Sequence, residues 1–282
     1  RHTRSLCDWS SDVCSSDLPW RSTRDRWHIL VSEVMSQQTQ VDRVVPKFQA
    51  FIEAYPTPLD CSRAPLGELL TLWSGLGYPR RCRNLHEASK AIVERHGGEV
   101  PSSLDELLAL PGVGDYTARA VLIFADHREI GVVDTNVARV VARIENRILA
   151  KKELQAIVDD AVPSGLSWEW NQVLMDFGAT VCVARSPRCG DCPVSASCGW
   201  AGSHGEDPAP RTAGTSRPQG RFEGSDRQAR GKLLRELTSR GVRRSQAALV
   251  MGDIPLDRAN RLVDQLTIEG LIVERDGFLS LP

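Results

Sequence analysis

Aromatic residues and net charge are both scarce in this sequence. Only 6% of its 282 residues are Phe, Trp or Tyr, and 35 Lys and Arg stand against 36 Asp and Glu, a formal net charge of -1. Such a balance excludes a global positive field, so any nucleic-acid binding has to come from local patches or from backbone groups. No apolar run approaches the roughly 18 residues of a membrane-spanning helix, which excludes a helical membrane protein. No Lys/Arg-headed apolar segment stands at the N-terminus, so a secretory signal is absent and a reducing cytoplasm is the expected location. Nor is there sustained strand-like alternation before residue 200, which argues against a sheet-based body.

What the chain does have is helical periodicity. Leu30, Val31, Val34 and Met35, then Leu69, Leu70, Leu72 and Trp73, then Leu85, Ala88 and Ile92 recur at three- and four-residue spacing, as the apolar faces of amphipathic helices do. The fold class is therefore mainly α. Residues 18–200 read as one helical domain, 201–220 as a solvated Gly/Pro/Ser/Thr linker, and 221–282 as a small C-terminal domain. In that domain 226–240, 244–250 and 256–269 read as helices and 271–281 as a hairpin around Asp276-Gly277, a winged-helix-like order. Residues 1–17 show neither periodicity; the run Asp8 to Leu18 resembles a translated sequencing adapter and is read as a non-native leader.

Eight cysteines are present, four of them in the run Cys182-x6-Cys189-x2-Cys192-x5-Cys198. That clustering points to metal chemistry and not to a disulfide framework. Leu110-Pro111-Gly112-Val113-Gly114 lies between two helical patterns and reads as a helix-hairpin-helix turn. Two glycines there permit positive φ and let amides at the next helix start face a phosphate. Asp134 opens a further helix, where Asp suits an N-cap. The same carboxylate can also stabilise positive charge on a sugar carbon from which a base departs.

Leu110–Gly114 followed by Asp134 resembles the core pattern of the helix-hairpin-helix DNA glycosylases. Within them, Ser32 to Val41 and Trp73 to Tyr78 with Arg83 to His86 are similar to the MutY-type adenine glycosylases. The resemblance runs from about Leu18 to Cys198 and implies a base-excision enzyme acting on adenine opposite 8-oxoguanine or guanine in double-stranded DNA, as a monomer. It implies that Glu33 protonates the adenine ring, that Asp134 stabilises the oxocarbenium-like sugar, and that Asn136 orients water. Glu33 then needs a raised pKa. Gln38 and Tyr78 match positions that wedge the duplex, Thr39 and Leu76 positions near the opposing base, and Trp20 and Gln172 the adenine pocket. Gly112 and Gly114 grip the DNA backbone. Tyr116 stands where bifunctional relatives carry a Schiff-base Lys, which implies a monofunctional hydrolase. In this context the four cysteines imply a [4Fe–4S] cluster over a zinc site, since only one short C-x2-C pair exists.

Departures from the pattern are Ser36 for a usual Leu, Pro79 for a frequent second Tyr, and Ser16 for an Arg of the pocket. A nudix-type C-terminal domain is missing, and the winged-helix-like tail resembles that of shorter actinobacterial members. Two rival readings are a mismatch thymine or uracil glycosylase of the same fold and a non-catalytic DNA-binding protein. The Gln37-Gln38-Thr39 string argues against the first, and the Glu33 and Asp134 pair against the second.

Overall fold

Helices supply nearly all of the architecture of this computed structural model, which describes residues 18–201, 203, 205–215 and 220–282. In chain order they are α1 (Arg26–Ser36), α2 (Val41–Ala54), α3 (Pro58–Arg63), α4 (Leu66–Trp73), α5 (Pro79–His96), α6 (Leu104–Leu108) and α7 (Asp115–Asp126). They continue as α8 (Thr135–Glu145), α9 (Lys151–Asp160), α10 (Ser167–Thr180), α11 (Asp226–Leu237), α12 (Ala247–Val250) and α13 (Leu256–Ile268). None of them is long and apolar enough to cross a membrane. The expectation for residues 1–17 lies outside the described residues.

The chain divides into two compact units of discontinuous sequence. The first holds the described residues up to Ile29, Ser102–Leu104 and Gly114–Pro218; the second holds Leu30–Pro101, Asp105–Val113 and Gln219–Pro282. This differs from a boundary at the 201–220 linker, because the C-terminal residues share a unit with residues 30–101.

In the first unit, Val137, Ala138, Val141, Leu149, Leu154 and Val158 form a buried cluster from α8, α9 and the loop joining them, with Leu174 and Met175 of α10 packed against it. Asp134 and Asn146 delimit α8, one as its N-cap and the other in the left-handed conformation after its end, the usual chemistry of helix termini. The stretch 201–220 is not uniformly a solvated linker. Asp207 pairs with Arg143, Ala209 is 2% exposed, and the Thr212 hydroxyl accepts the Leu149 amide at 3.2 Å. Its small residues, which composition reads as linker, here let the backbone lie close against α8.

In the second unit, Phe51 of α2 meets the ring of Trp73 of α4 edge to face at 6.5 Å, while Leu69, Leu85 and Ile92 are buried between α4 and α5. Pro79 occupies the first turn of α5, where a missing N–H costs nothing. The C-terminal region packs α11, α12 and α13 around Leu233, Leu262, Val263 and Leu266. Strands β1 (Val242–Arg243), β2 (Val273–Arg275) and β3 (Phe278–Ser280) form an antiparallel sheet in the order β1-β3-β2. Val242 pairs with Leu279, and Glu274 pairs with Leu279 from the other side. Asp276 and Gly277 both have positive φ, 50° and 74°, as a tight hairpin turn of this type demands. The winged-helix-like order is thus present, with one strand more than the sequence reading contains.

Candidate active site and cluster loop

The first unit carries Asp134, Asn136, Tyr116, Trp20, Gln172, Gly114 and the four clustered cysteines. The Asp134 carboxylate accepts the amides of Asn136 and Val137 at 2.8 and 2.7 Å. Its other oxygen accepts the Asn136 side-chain amide at 3.0 Å. Both carboxylate oxygens are thus engaged, one by the helix cap and the other by the Asn136 side chain. Burial pushes the Asp134 carboxyl up from its ordinary value, while hydrogen bonds from Val137 and Asn136 hold it back. Asn136 in turn accepts from Arg139 at 2.8 Å, and Arg139 donates to the Cys182 carbonyl at 2.7 Å and the Gly178 carbonyl at 2.6 Å. A Cβ on Gly178 would stand 2.6 Å from the Cβ of Asn136, so glycine alone allows α10 this close to α8. Arg139 was not found by sequence reasoning, because an Arg within a helix carries no mark of being buried.

Trp20 sits half-buried in a short 3-10 turn, Pro19–Arg21, and Arg21 of that turn forms a bidentate pair with Asp176 of α10. Gln172 lies one helical turn before Asp176, on the same face. It is 8% exposed, and its Oε1 has no hydrogen-bond partner among the described residues. A buried amide oxygen without a donor is costly unless a ligand supplies one. Tyr116, near the start of α7, points its hydroxyl at the Met175 sulfur, 3.9 Å away. Gly114 caps α7 with φ -99°, so of the two hairpin glycines Gly112 alone uses the positive φ that both permit. An extended glycine suffices there, because the turn is made one step earlier.

The second unit carries Glu33, Gly112, Gln38, Thr39, Leu76 and Tyr78. Gly112 has φ +77°, and a Cβ on it would lie 2.6 Å from that of Asn84. Glu33 is half-buried on α1 between the buried Val31 and Val34. Gln38 and Tyr78 both adopt the left-handed conformation, with φ of 55° and 47°, which non-glycine residues seldom occupy. They are held by Arg81, whose guanidinium donates to the carbonyls of Val34, Met35, Gln37, Leu76 and Gly77 and to the Thr39 hydroxyl at 2.6–3.3 Å. It also lies over the Tyr78 ring at 5.2 Å. The Thr39 hydroxyl donates to the Leu76 carbonyl at 3.1 Å. Gln38, Thr39, Leu76 and Tyr78 thus line one groove. Burial lowers the Arg81 pKa to about 10, still high enough for a cation at neutrality.

Cys182, Cys189, Cys192 and Cys198 are all unpaired and half-buried, and they line one cavity with Val140, Ile144, Phe177 and Val181. Among the described residues no three His, Cys, Asp or Glu converge as they would on a single ion. A zinc ion, with Zn–S near 2.3 Å, would draw such sulfurs together. A larger iron–sulfur cube fits a set spread around a shared apolar cavity. Arg143, fully buried, donates to the Cys182 sulfur at 3.4 Å and to the Val183 carbonyl at 2.8 Å, and its guanidinium stacks on Trp200 at 4.7 Å. It fixes both ends of the loop, and it too escaped sequence reasoning.

Residues 31–163 match the HhH-GPD superfamily of base excision DNA repair proteins, and residues 182–198 match the iron-sulfur binding domain of endonuclease III. A solved thermostable thymine-DNA glycosylase is 31% identical, with a TM-score of 0.62, covering 66% of this chain and 88% of that one. A non-covalent endonuclease III–DNA complex is 29% identical, with a TM-score of 0.60, covering 65% and 87%. Fold and site together define a helix-hairpin-helix DNA glycosylase with a [4Fe–4S] cluster loop. The adenine DNA glycosylase of Mycolicibacterium smegmatis is 42% identical over 285 residues, 98% of this chain and 94% of that protein. The adenine DNA glycosylase of Homo sapiens is 38% identical over 209 residues, 69% of this chain and 38% of that protein. The chain belongs to the adenine DNA glycosylase family. Coverage of 98% takes in the winged-helix-like region, which the mycobacterial relative therefore shares.

Proposed function

We propose that this adenine DNA glycosylase removes adenine opposite 8-oxoguanine or guanine from double-stranded DNA in the cytoplasm, as a monomer, and leaves an abasic site without cutting the strand. The observation that carries the reading is Asp134: a largely buried carboxylate at the start of α8, fixed by three hydrogen bonds and, among the described residues, offset by no ion pair of its own. Such a group is poised to stabilise positive charge that develops on a sugar.

In this reading the extruded adenine enters beside Trp20, and its exocyclic amine meets the unpartnered Gln172 oxygen. A base buried in the stack cannot be protonated on its ring, so extrusion comes first and costs a few kcal/mol. Glu33 gives a proton to a ring nitrogen, and the electrons of the C1′–N bond pass to the base as that bond breaks. Asp134 stabilises the cationic sugar, and water oriented by Asn136 adds to C1′ and gives up its proton to the Glu33 carboxylate, which is restored to its acid form. Gln38 and Tyr78 fill the space the base leaves. The cluster, held by the four cysteines, supplies a structural tie for the loop 182–198. Tyr116 offers no amine to the sugar carbon, so the reaction ends at hydrolysis.

A cleavage assay on duplexes with adenine opposite 8-oxoguanine, guanine or cytosine, and with thymine or uracil opposite guanine, tests the proposal. Adenine release opposite the first two, with strand breaks only after alkali, is expected. Release of thymine, or nicking that borohydride traps, overturns it. Glu33→Gln is expected to abolish excision while duplex binding survives, because the change removes a proton and not a phosphate contact.

A further inference from the structure

The second unit contains a groove of about 1080 Å³ that none of the catalytic residues explains. Its walls are the segments Gln37–Gln40 and Ser74–Arg81 on one side and helices α11 and α13 on the other. That volume exceeds the roughly 300–1,000 Å³ of small-molecule sites. Seven arginines line it against one acid, Asp226, in a chain whose net charge is -1.

The arginines divide by what they already hold. Arg80 and Arg230 pair with Glu269, Arg261 pairs with Asp226, and Arg81 is committed to backbone carbonyls. Arg43 and Arg235 are exposed, and among the described residues neither guanidinium makes a hydrogen bond or an ion pair. Arg227 stands two turns before Arg235 on the same face of α11; its guanidinium donates to the Gly220 carbonyl at 2.8 Å and lies 5.9 Å over the ring of Phe222. The large exposed aromatics among the described residues are Tyr78, Phe222 and Phe278. Two of these three line this groove. Two exposed cations without partners among the described residues, Arg43 and Arg235, interleaved with exposed rings, suit a nucleic-acid strand better than an acidic protein surface, which has no bases to stack.

We propose that the winged-helix-like region is a DNA clamp: Arg43, Arg227 and Arg235 hold phosphates of the strand opposite the target adenine, and Phe222 stacks on that strand. The choice of strand rests on the function proposed above, because Thr39 and Leu76, which match family positions near the opposing base, open into the same groove. The clamp grips backbone, so it adds affinity to any duplex and leaves discrimination between 8-oxoguanine and guanine to the Gln38 and Leu76 loops.

The test measures binding of the full holoenzyme to an undamaged duplex and to one carrying adenine opposite 8-oxoguanine, across a range of salt. Arg43→Ala with Arg235→Ala is expected to weaken both by about tenfold or more and to reduce the slope of log K against log salt by about 2, near 0.9 per lost phosphate contact. Arg240→Ala, which removes a surface arginine paired with Glu236 outside the groove, is expected to change neither. Methylphosphonates in the lesion strand are expected to weaken wild type more than the double variant, and in the adenine strand to weaken both alike. Wild-type affinity and slope in the double variant overturn the clamp, and the reverse methylphosphonate pattern overturns the strand assignment. Adenine release by the wild type is scored separately. An enzyme that shows the slope change yet releases no adenine keeps the clamp and loses the proposed activity.

Discussion

At the scale of single residues, Asp134 holds two demands in tension. As a helix cap it needs only an oxygen, and Asn serves that purpose as well as Asp. As a stabiliser of a cationic sugar it must be charged, in a place where burial raises its pKa. Because the folded pKa lies above the unfolded one, its contribution to stability is most favourable below the ordinary carboxylate value and declines as pH rises through the window between the two. In the proposed reaction activity runs the other way on the acid side, since there the charged form does the work. Asp134→Asn is therefore expected to lower single-turnover excision by at least about 10²-fold, with little change in helix content by circular dichroism. The wild-type rate should fall on the acid side at a pH above the ordinary carboxylate value of 3.8. An unchanged rate in Asp134→Asn would reduce Asp134 to a cap. Asp134 was legible because it follows a glycine turn at a helix start. Arg139 and Arg143 were not, since an arginine reads from sequence as part of a solvated face until its carbonyl partners are known.

At the scale of elements, the segments bearing Gln38 and Tyr78 are strained, and Arg81 holds the strain in place. Two non-glycine residues with positive φ cost of the order of 1–3 kcal/mol each, and they persist because one guanidinium satisfies the end of α1 and both loops together. Arg81→Met is expected to destabilise the fold by about 2–4 kcal/mol in urea unfolding, as buried carbonyls lose their donor. On the proposed function it should also lower adenine release opposite 8-oxoguanine. Arg81→Lys should rescue little, because an ammonium lacks the planar fork that reaches several acceptors at once. Full rescue by Lys would show that charge alone suffices. The helices themselves were readable, since apolar spacing and caps mark them, whereas β1 has two residues, too few for alternation to register. The 207–214 stretch was misread for a related reason: small residues serve both solvated linkers and close packing, and composition does not separate the two.

At the scale of the whole molecule, Glu269 ties the winged-helix-like region to α5 through Arg80 and to α11 through Arg230, while Arg83 donates to its carbonyl at 2.6 Å. Burial alone would raise the Glu269 carboxyl, but hydrogen bonds from Arg80 and Arg230 overcome it and bring the pKa down to about 2. With the folded pKa depressed, this stability is present above the unfolded value near 4.5 and is lost as pH falls toward 2. Glu269→Gln is expected to cost on the order of 2–3 kcal/mol at neutral pH and to flatten the pH dependence of unfolding between about 4.5 and 2. A variant whose acid unfolding matches wild type would show that the tie carries no net stability.

The discontinuous make-up of the second unit also sets a schedule for the newborn chain. Arg43 and Phe222 face one groove, yet roughly 180 residues separate their synthesis, about 10–40 s at 5–20 residues per second. Until the last helices leave the ribosome, the loops bearing Gln38 and Tyr78 have no opposite wall, so on the function and the clamp proposed above a nascent chain carries its base-extruding residues well before it can grip DNA through the groove.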